Sequence, residues 1–192
     1  MRKTGLFFGS FNPIHVGHLI LANAMVQSGE VDEVWFVVSP QNPFKKRSSL
    51  LHEFDRLDMV NAAIQNNFNF KASDIEFRMP KPSYTVDTLV YLSEKNPMHN
   101  FKLIVGEDNL AGFKKWKNHE VILNDYGLLV YPRPKSKPSD LKDHPHVKLI
   151  EAPMVDISAT YIRNAIKENK DIRYLVPEGV RELITSKHFY QD

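Results

Sequence analysis

Glu33-Val34-Trp35-Phe36-Val37-Val38 is an unbroken apolar and β-branched run. A strand with one wet face alternates apolar and polar side chains, so a run without alternation belongs to a strand covered on both faces. Gly5-Leu6-Phe7-Phe8, Phe101-Lys102-Leu103-Ile104-Val105-Gly106 and Leu128-Leu129-Val130-Tyr131 are further strands, and helical stretches separate them. Strands alternating with helices imply an α/β fold, a Rossmann-like, doubly wound and mainly parallel sheet with helices on both faces. Ligands of such sheets bind at the carboxyl ends of the strands.

The intervening segments are assigned by periodicity and punctuation. A first helix runs through Leu19-Ile20-Leu21-Ala22 to about Ser28-Gly29, and a second from Glu53 to Gln65 with Phe54, Leu57, Val60, Ala63 and Ile64 on its apolar face. Phe70 to Phe77 is expected as a strand, and Ser83 or Thr85 as the cap of a helix carrying Val86, Leu89, Val90 and Leu92. Val121-Ile122-Leu123 makes a short helix closed by Gly127. The polar, proline-bearing stretch from Pro132 to about Pro145 is the most disorder-prone internal segment, and Val147 to Ile150 is the last strand. Ile157-Ser158-Ala159-Thr160 opens a helix, and Pro177 starts the next. Residues 1–192 are expected to form a single domain, helical from about residue 158 onward.

With 42% hydrophobic and 25% charged residues over 192 positions, the chain can bury a full core. Its 25 Lys and Arg against 23 Asp and Glu leave a formal charge of +2, too small for a general nucleic-acid binder. The absence of Cys removes disulfides, thiol nucleophiles and thiolate metal sites, and no run is long enough to span a membrane. A cytoplasmic protein is expected, with no nucleic acid or membrane partner.

Gly9-Ser10-Phe11-Asn12-Pro13-Ile14-His15-Val16-Gly17-His18 joins the first strand to the first helix. Such a junction turns backbone N–H groups and the positive end of a helix dipole toward the sheet edge, which favours a phosphate. Two imidazoles three residues apart add donors, so the predicted ligand is a polyphosphate. The P-loop and G-x-G-x-x-G fingerprints, the H-E-x-x-H helix and the G-x-S-x-G elbow are all missing from the chain.

His15-x-Gly17-His18, together with Ile157-Ser158-Ala159-Thr160-Tyr161-Ile162-Arg163, resembles the paired H-x-G-H and I-S-x-T-x-I-R signatures of a nucleotidyltransferase superfamily. Within it the chain is most similar to the bacterial nicotinate-nucleotide adenylyltransferases, a likeness extending over Pro82-Ser83-Tyr84-Thr85, Gly106-Glu107-Asp108, Trp116, Tyr131-Pro132-Arg133-Pro134 and Tyr174-Leu175-Val176-Pro177. That resemblance implies transfer of AMP from ATP to nicotinate mononucleotide, giving deamido-NAD and pyrophosphate. It implies catalytic roles for His15, His18, Ser158 and Arg163, with His18 nearest the α-phosphate. ATP would also meet Gly9, Ser10, Phe11, Gly17, Lys45, Gly106, Asp108, Ile157 and Thr160. The nucleotide acceptor would meet Asn12, Tyr84, Thr85, Trp116 and Arg133. Where the family has Asn-Pro-His-Lys this chain has Asn42-Pro43-Phe44-Lys45, which moves the expected phosphate contact to Lys45. Mg²⁺ would be carried on the ATP phosphates, with no metal-binding residues of the chain's own.

Bland readings stand beside these: Trp116 as a packing residue, Thr85 or Asp108 as a helix cap. Competing functions are phosphopantetheine or nicotinamide mononucleotide adenylyltransferase, and a nucleotide sensor without turnover. The sequence leaves oligomeric state open.

Overall fold

The structure, a computed structural model, describes residues 1–40, 50–134 and 136–191. Among the described residues six strands form one sheet: β1 (Arg2–Gly9), β2 (Glu33–Val38), β3 (Phe70–Ser73), β4 (His99–Gly106), β5 (Leu128–Tyr131) and β6 (Val147–Leu149). Their order is β3-β2-β1-β4-β5-β6, and every neighbouring pair is parallel. The winding direction reverses between β1 and β4, which opens a crevice at their carboxyl ends. All six residues of β2 are buried, as its unbroken pattern requires. Even Glu33 is buried, its carboxylate taking hydrogen bonds from Thr4 Oγ1 and Trp35 Nε1 and an ion pair from Arg2.

Among the described residues seven α-helical segments cover the sheet: α1 (Val16–Gln27), α2 (Glu53–Ile64), α3 (Thr85–Lys95), α4 (Glu107–Leu110), α5 (His119–Val121), α6 (Ala159–Lys167) and α7 (Glu178–Ser186). Alternate strand residues define two cores. Phe7, Phe36, Ile104 and Leu129 face α1, α2, α6 and α7, whereas Leu6, Trp35, Leu103 and Val130 face α3 and the segments from Leu110 to Leu123. α5 continues into a π turn, Ile122–Tyr126, that ends at Gly127 with φ +75°.

Four expectations need correction. The strand expected over 70–77 stops at Ser73, where its pairing with β2 ends, and Ile75–Arg78 forms a 3-10 turn. That turn carries the buried Glu76 to Thr88 Oγ1 on α3, a contact a continuing edge strand would not make. α2 buries Arg56, Met59, Val60 and Ile64, while Phe54 is exposed and meets Phe77 edge-on. α3 is capped by neither Ser83 nor Thr85: Tyr84 is the N-cap residue, without a side-chain bond, because the Ser83 hydroxyl is engaged by Glu76. In the proline-bearing segment a 3-10 turn, Asp140–Asp143, is capped by Ser139 and buries Leu141.

Candidate active site

β1 ends at Gly9, and the chain turns sharply before α1. Phe11 adopts a left-handed backbone, φ +44°, and its ring folds under the loop into the core at 2% exposure. A Cβ on Gly9 would lie 2.8 Å from that ring, so only glycine admits the arrangement. Phe11 was expected on ATP, but its side chain is a platform instead, edge-on to His18 with ring centroids 5.1 Å apart.

His15 and His18 stack at 3.7 Å between centroids, 26° between planes. The His15 backbone N–H donates to His18 Nδ1, so the neutral His18 ring carries its proton on Nε2. His15 is a neutral imidazole in the free protein at neutral pH. Burial, with help from the Arg133 charge, lowers its pKa to about 4, and its Nδ1 has no hydrogen-bond partner among the described residues. In the unfolded chain the same imidazole titrates near 6.5. Between those values the unfolded state binds the proton more readily, so His15 contributes stability at neutral pH that is lost as pH falls from 6.5 to about 4. The full effect is roughly 3 kcal/mol. Denaturant titrations across that range should show it, and His15→Gln should flatten the curve.

Gly17 explains the glycine between the histidines. A Cβ there would come 3.0–3.1 Å from the His15 ring, tighter than ordinary contact. Gly17→Ala should therefore keep thermal stability, since alanine favours helices by about 0.5–1 kcal/mol over glycine. Turnover should nevertheless fall by about tenfold, because the stacked pair is displaced. Melting curves and steady-state rates on one preparation test both signs.

A shallow cleft opens over the pair, lined by His15, His18, Tyr131, Arg133, Met154 and Ile157 among others. Arg133 leans on the Tyr131 ring, 5.2 Å from its centroid, and its backbone N–H donates to Glu107. Its buried Nε has no partner among the described residues. Gly106 is buried at the same strand edge, where a Cβ would sit 2.4 Å from Asp108 Oδ1. Asp108 is exposed, within α4 and not capping it.

Ser158 is the N-cap of α6, its Oγ accepting from the Tyr161 N–H. Arg163, expected on the triphosphate, donates from Nη1 to the Asn12 carbonyl and from Nη2 to Thr160 Oγ1. It docks α6 onto the histidine loop, and Ile157 reaches the same cleft as His15. Asn12 is itself 4% exposed, its Oδ1 accepting from Leu51 N–H and the Tyr190 hydroxyl. The two signatures, distant in sequence, are thus joined.

Tyr84, Thr85 and Trp116 form a second group on the opposite face. Lys117 ion-pairs with Asp87 of α3 at 2.9 Å and lies 4.5 Å over the Tyr84 ring, tying the Trp116 segment to the start of α3. Trp116 is half-buried against Phe113. The first turn of α3 has no side-chain cap, which leaves backbone N–H groups for an anion. Lys45 and Phe44 lie outside the described residues. Among the described residues no group of three or more His, Cys, Asp or Glu is arranged to hold a metal, and no helix is long and apolar enough to cross a membrane.

Sequence reasoning passed over Arg56. It is fully buried and donates to four carbonyls: Leu51 from Nε, Ser10 and Ser39 from Nη1, and Pro40 from Nη2. It therefore fixes the histidine loop from below. The signal was its place in the i, i+3, i+4, i+8 stripe with Met59, Val60 and Ile64.

A family model described as cytidylyltransferase-like matches residues 6–165. The chain is 65% identical over 190 residues, 99% of each chain, to the probable nicotinate-nucleotide adenylyltransferase of Cytophaga hutchinsonii. It is 52% identical, covering 98% of this chain and 99% of the other, to the protein of the same name in Flavobacterium johnsoniae. The nicotinic acid mononucleotide adenylyltransferase of Plasmodium falciparum, solved with NaAD, shares the fold at TM-score 0.81 and 20% identity, over 99% and 98% of the two chains. The strand order, the stacked H-x-G-H pair and these likenesses agree that the chain belongs to the cytidylyltransferase-like family and, within it, to the nicotinate-nucleotide adenylyltransferases.

Proposed function

We infer that this protein joins ATP and nicotinate mononucleotide into deamido-NAD, with release of pyrophosphate. The observation that carries the reading is the His15–His18 stack at the cleft mouth, with the proton of the neutral His18 fixed on Nε2 by the backbone. A phosphate oxygen of the mononucleotide attacks the α-phosphorus of ATP, the bond to the β-phosphate oxygen breaks, and pyrophosphate leaves. The substrate supplies the nucleophile. The protein must align two anions, a contribution of about 7–11 kcal/mol, and meet charge that develops on the α-phosphate, about 3–4 kcal/mol for one well-aimed donor.

His18 Nε2 is that donor in this reading. His15 is neutral in the free protein and becomes a stronger donor once a triphosphate raises its pKa. Arg133, on the far wall of the cleft, offsets phosphate charge. Ser158 and Ile157 bring the N-terminus of α6 to the triphosphate, while Arg163 keeps that helix and the loop together. Gly9, Ser10, Gly17, Gly106, Asp108 and Thr160 form the rest of the ATP side. Tyr84, Thr85 and Trp116 form the acceptor side, with the uncapped first turn of α3 receiving the pyridine carboxylate and Trp116 the ring, while the buried Asn12 shapes the histidine loop. Carried on the ATP phosphates, Mg²⁺ would supply charge neutralisation on the leaving pyrophosphate.

Pyrophosphate release from ATP is measured with nicotinate mononucleotide, nicotinamide mononucleotide and phosphopantetheine offered separately. Nicotinate mononucleotide should give the highest kcat/KM. Preference for either other acceptor overturns the substrate assignment, and release with none favours a sensor.

A further inference from the structure

We propose that Tyr190 is a positioning residue for adenylyl transfer, acting through Asn12 to hold the loop that carries His15 and His18. The Tyr190 hydroxyl donates to Asn12 Oδ1 at 2.8 Å across 178 positions of sequence. The same oxygen accepts from the Leu51 N–H, a group that can only donate, so the orientation of the amide is fixed. The Asn12 carbonyl is held by Arg163. Asn12 is thus gripped on its side chain by Tyr190 and on its backbone by α6, three residues before His15.

The backbone at both ends of the contact is unusual. Phe11, beside Asn12, has φ +44° and Tyr190 has φ +63°, left-handed conformations that are unfavourable for an L-residue. Strain of this kind persists where surrounding contacts over-determine it, and it clusters at functional sites. Those contacts are present for Tyr190. Lys187 anchors the segment to Asp55 and Asp58 of α2, the Phe189 N–H closes on the Ile184 carbonyl, and both rings pack on the core. The Arg56 and Arg163 charges, both near the phenol, belong to the two side chains that grip the same loop. A phenol used only for packing needs no hydroxyl turned to the loop's asparagine.

The proposal rests on the adenylyltransferase reading. Its test compares wild type, Tyr190→Phe, Asn12→Ala and the double variant. Tyr190→Phe keeps the ring and should melt within a few degrees of wild type. Its kcat with ATP and nicotinate mononucleotide should fall by about tenfold, with KM for ATP changed less than about threefold. If the hydroxyl acts through Asn12, the double variant should be no slower than Asn12→Ala alone. Wild-type kcat in Tyr190→Phe, or losses that multiply in the double variant, overturns the proposal. Imidazole ¹H–¹⁵N resonances of His15 and His18 in the free protein give a second readout that needs no turnover. They should move in Tyr190→Phe, and unmoved resonances count against the proposal. Absence of turnover in wild type sinks the activity reading instead.

Discussion

His18→Ala is expected to reduce kcat by about 10²–10³-fold while the affinity for ATP changes by less than about threefold. The asymmetry follows from what the ring is fixed to do. Its Nδ1 is occupied by the His15 N–H, so the neutral side chain offers one donor, Nε2, held from two sides by the His15 stack and the edge of Phe11. A donor placed this rigidly is worth most where charge builds up on the α-phosphate, and little against the ground-state triphosphate, which other groups also hold. Steady-state kinetics beside calorimetric titration of ATP separates the two quantities. Equal losses in both would make His18 a ground-state contact. His18→Gln, which can offer an amide N–H at a similar reach, should recover part of the rate.

Arg56→Met should be the most destabilising single change, by about 3–5 kcal/mol. The guanidinium is fully buried, and four carbonyl oxygens depend on it. Burial lowers its pKa from the usual value, opposed by the nearby Glu53 carboxylate. Methionine fills the volume but leaves Ser10, Ser39, Pro40 and Leu51 carbonyls to lose their partner inside the protein. In a domain of this size the loss corresponds to a drop in Tm on the order of 10 °C. Arg56→Lys should recover only part of it, because an ammonium cannot reproduce the planar fork. Chemical denaturation gives the free energy directly, and a change below about 1 kcal/mol would show that water satisfies the carbonyls. The loop shares this anchor through Ser10, so turnover should fall as well.

The strands were legible because burial on both faces leaves an apolar pattern that little else produces, and β2 and β5 follow it. The histidine loop was legible because its glycines are required by contact: Gly9 by the Phe11 ring, Gly17 by the His15 ring. What the sequence hid are interactions whose partners are backbone atoms or lie far along the chain. Arg56 reads as a polar interruption of α2 until its carbonyl partners are seen, and Tyr190 as one more aromatic near a helix end. Phe11 and Arg163 stand in the signatures, so proximity to a ligand was the natural expectation. The sequence does not show that the Phe11 ring turns to the core or that Arg163 also holds the Asn12 carbonyl. Ser83 was a reasonable cap, but a buried carboxyl on the preceding turn competes for its hydroxyl.

The strand order also bears on how the chain can be made. β1 ends up in the middle of the sheet, bonded to β2 on one side and to β4 on the other, and β4 begins only at His99. During vectorial synthesis the β3-β2-β1 half therefore emerges first, with one flank of β1 carrying a row of unpaired amides and carbonyls over a bare apolar surface. That flank stays open to any passing strand until Gly106 has cleared the ribosome. The partial chain, more than the finished molecule, is thus the form most exposed to strand mispairing.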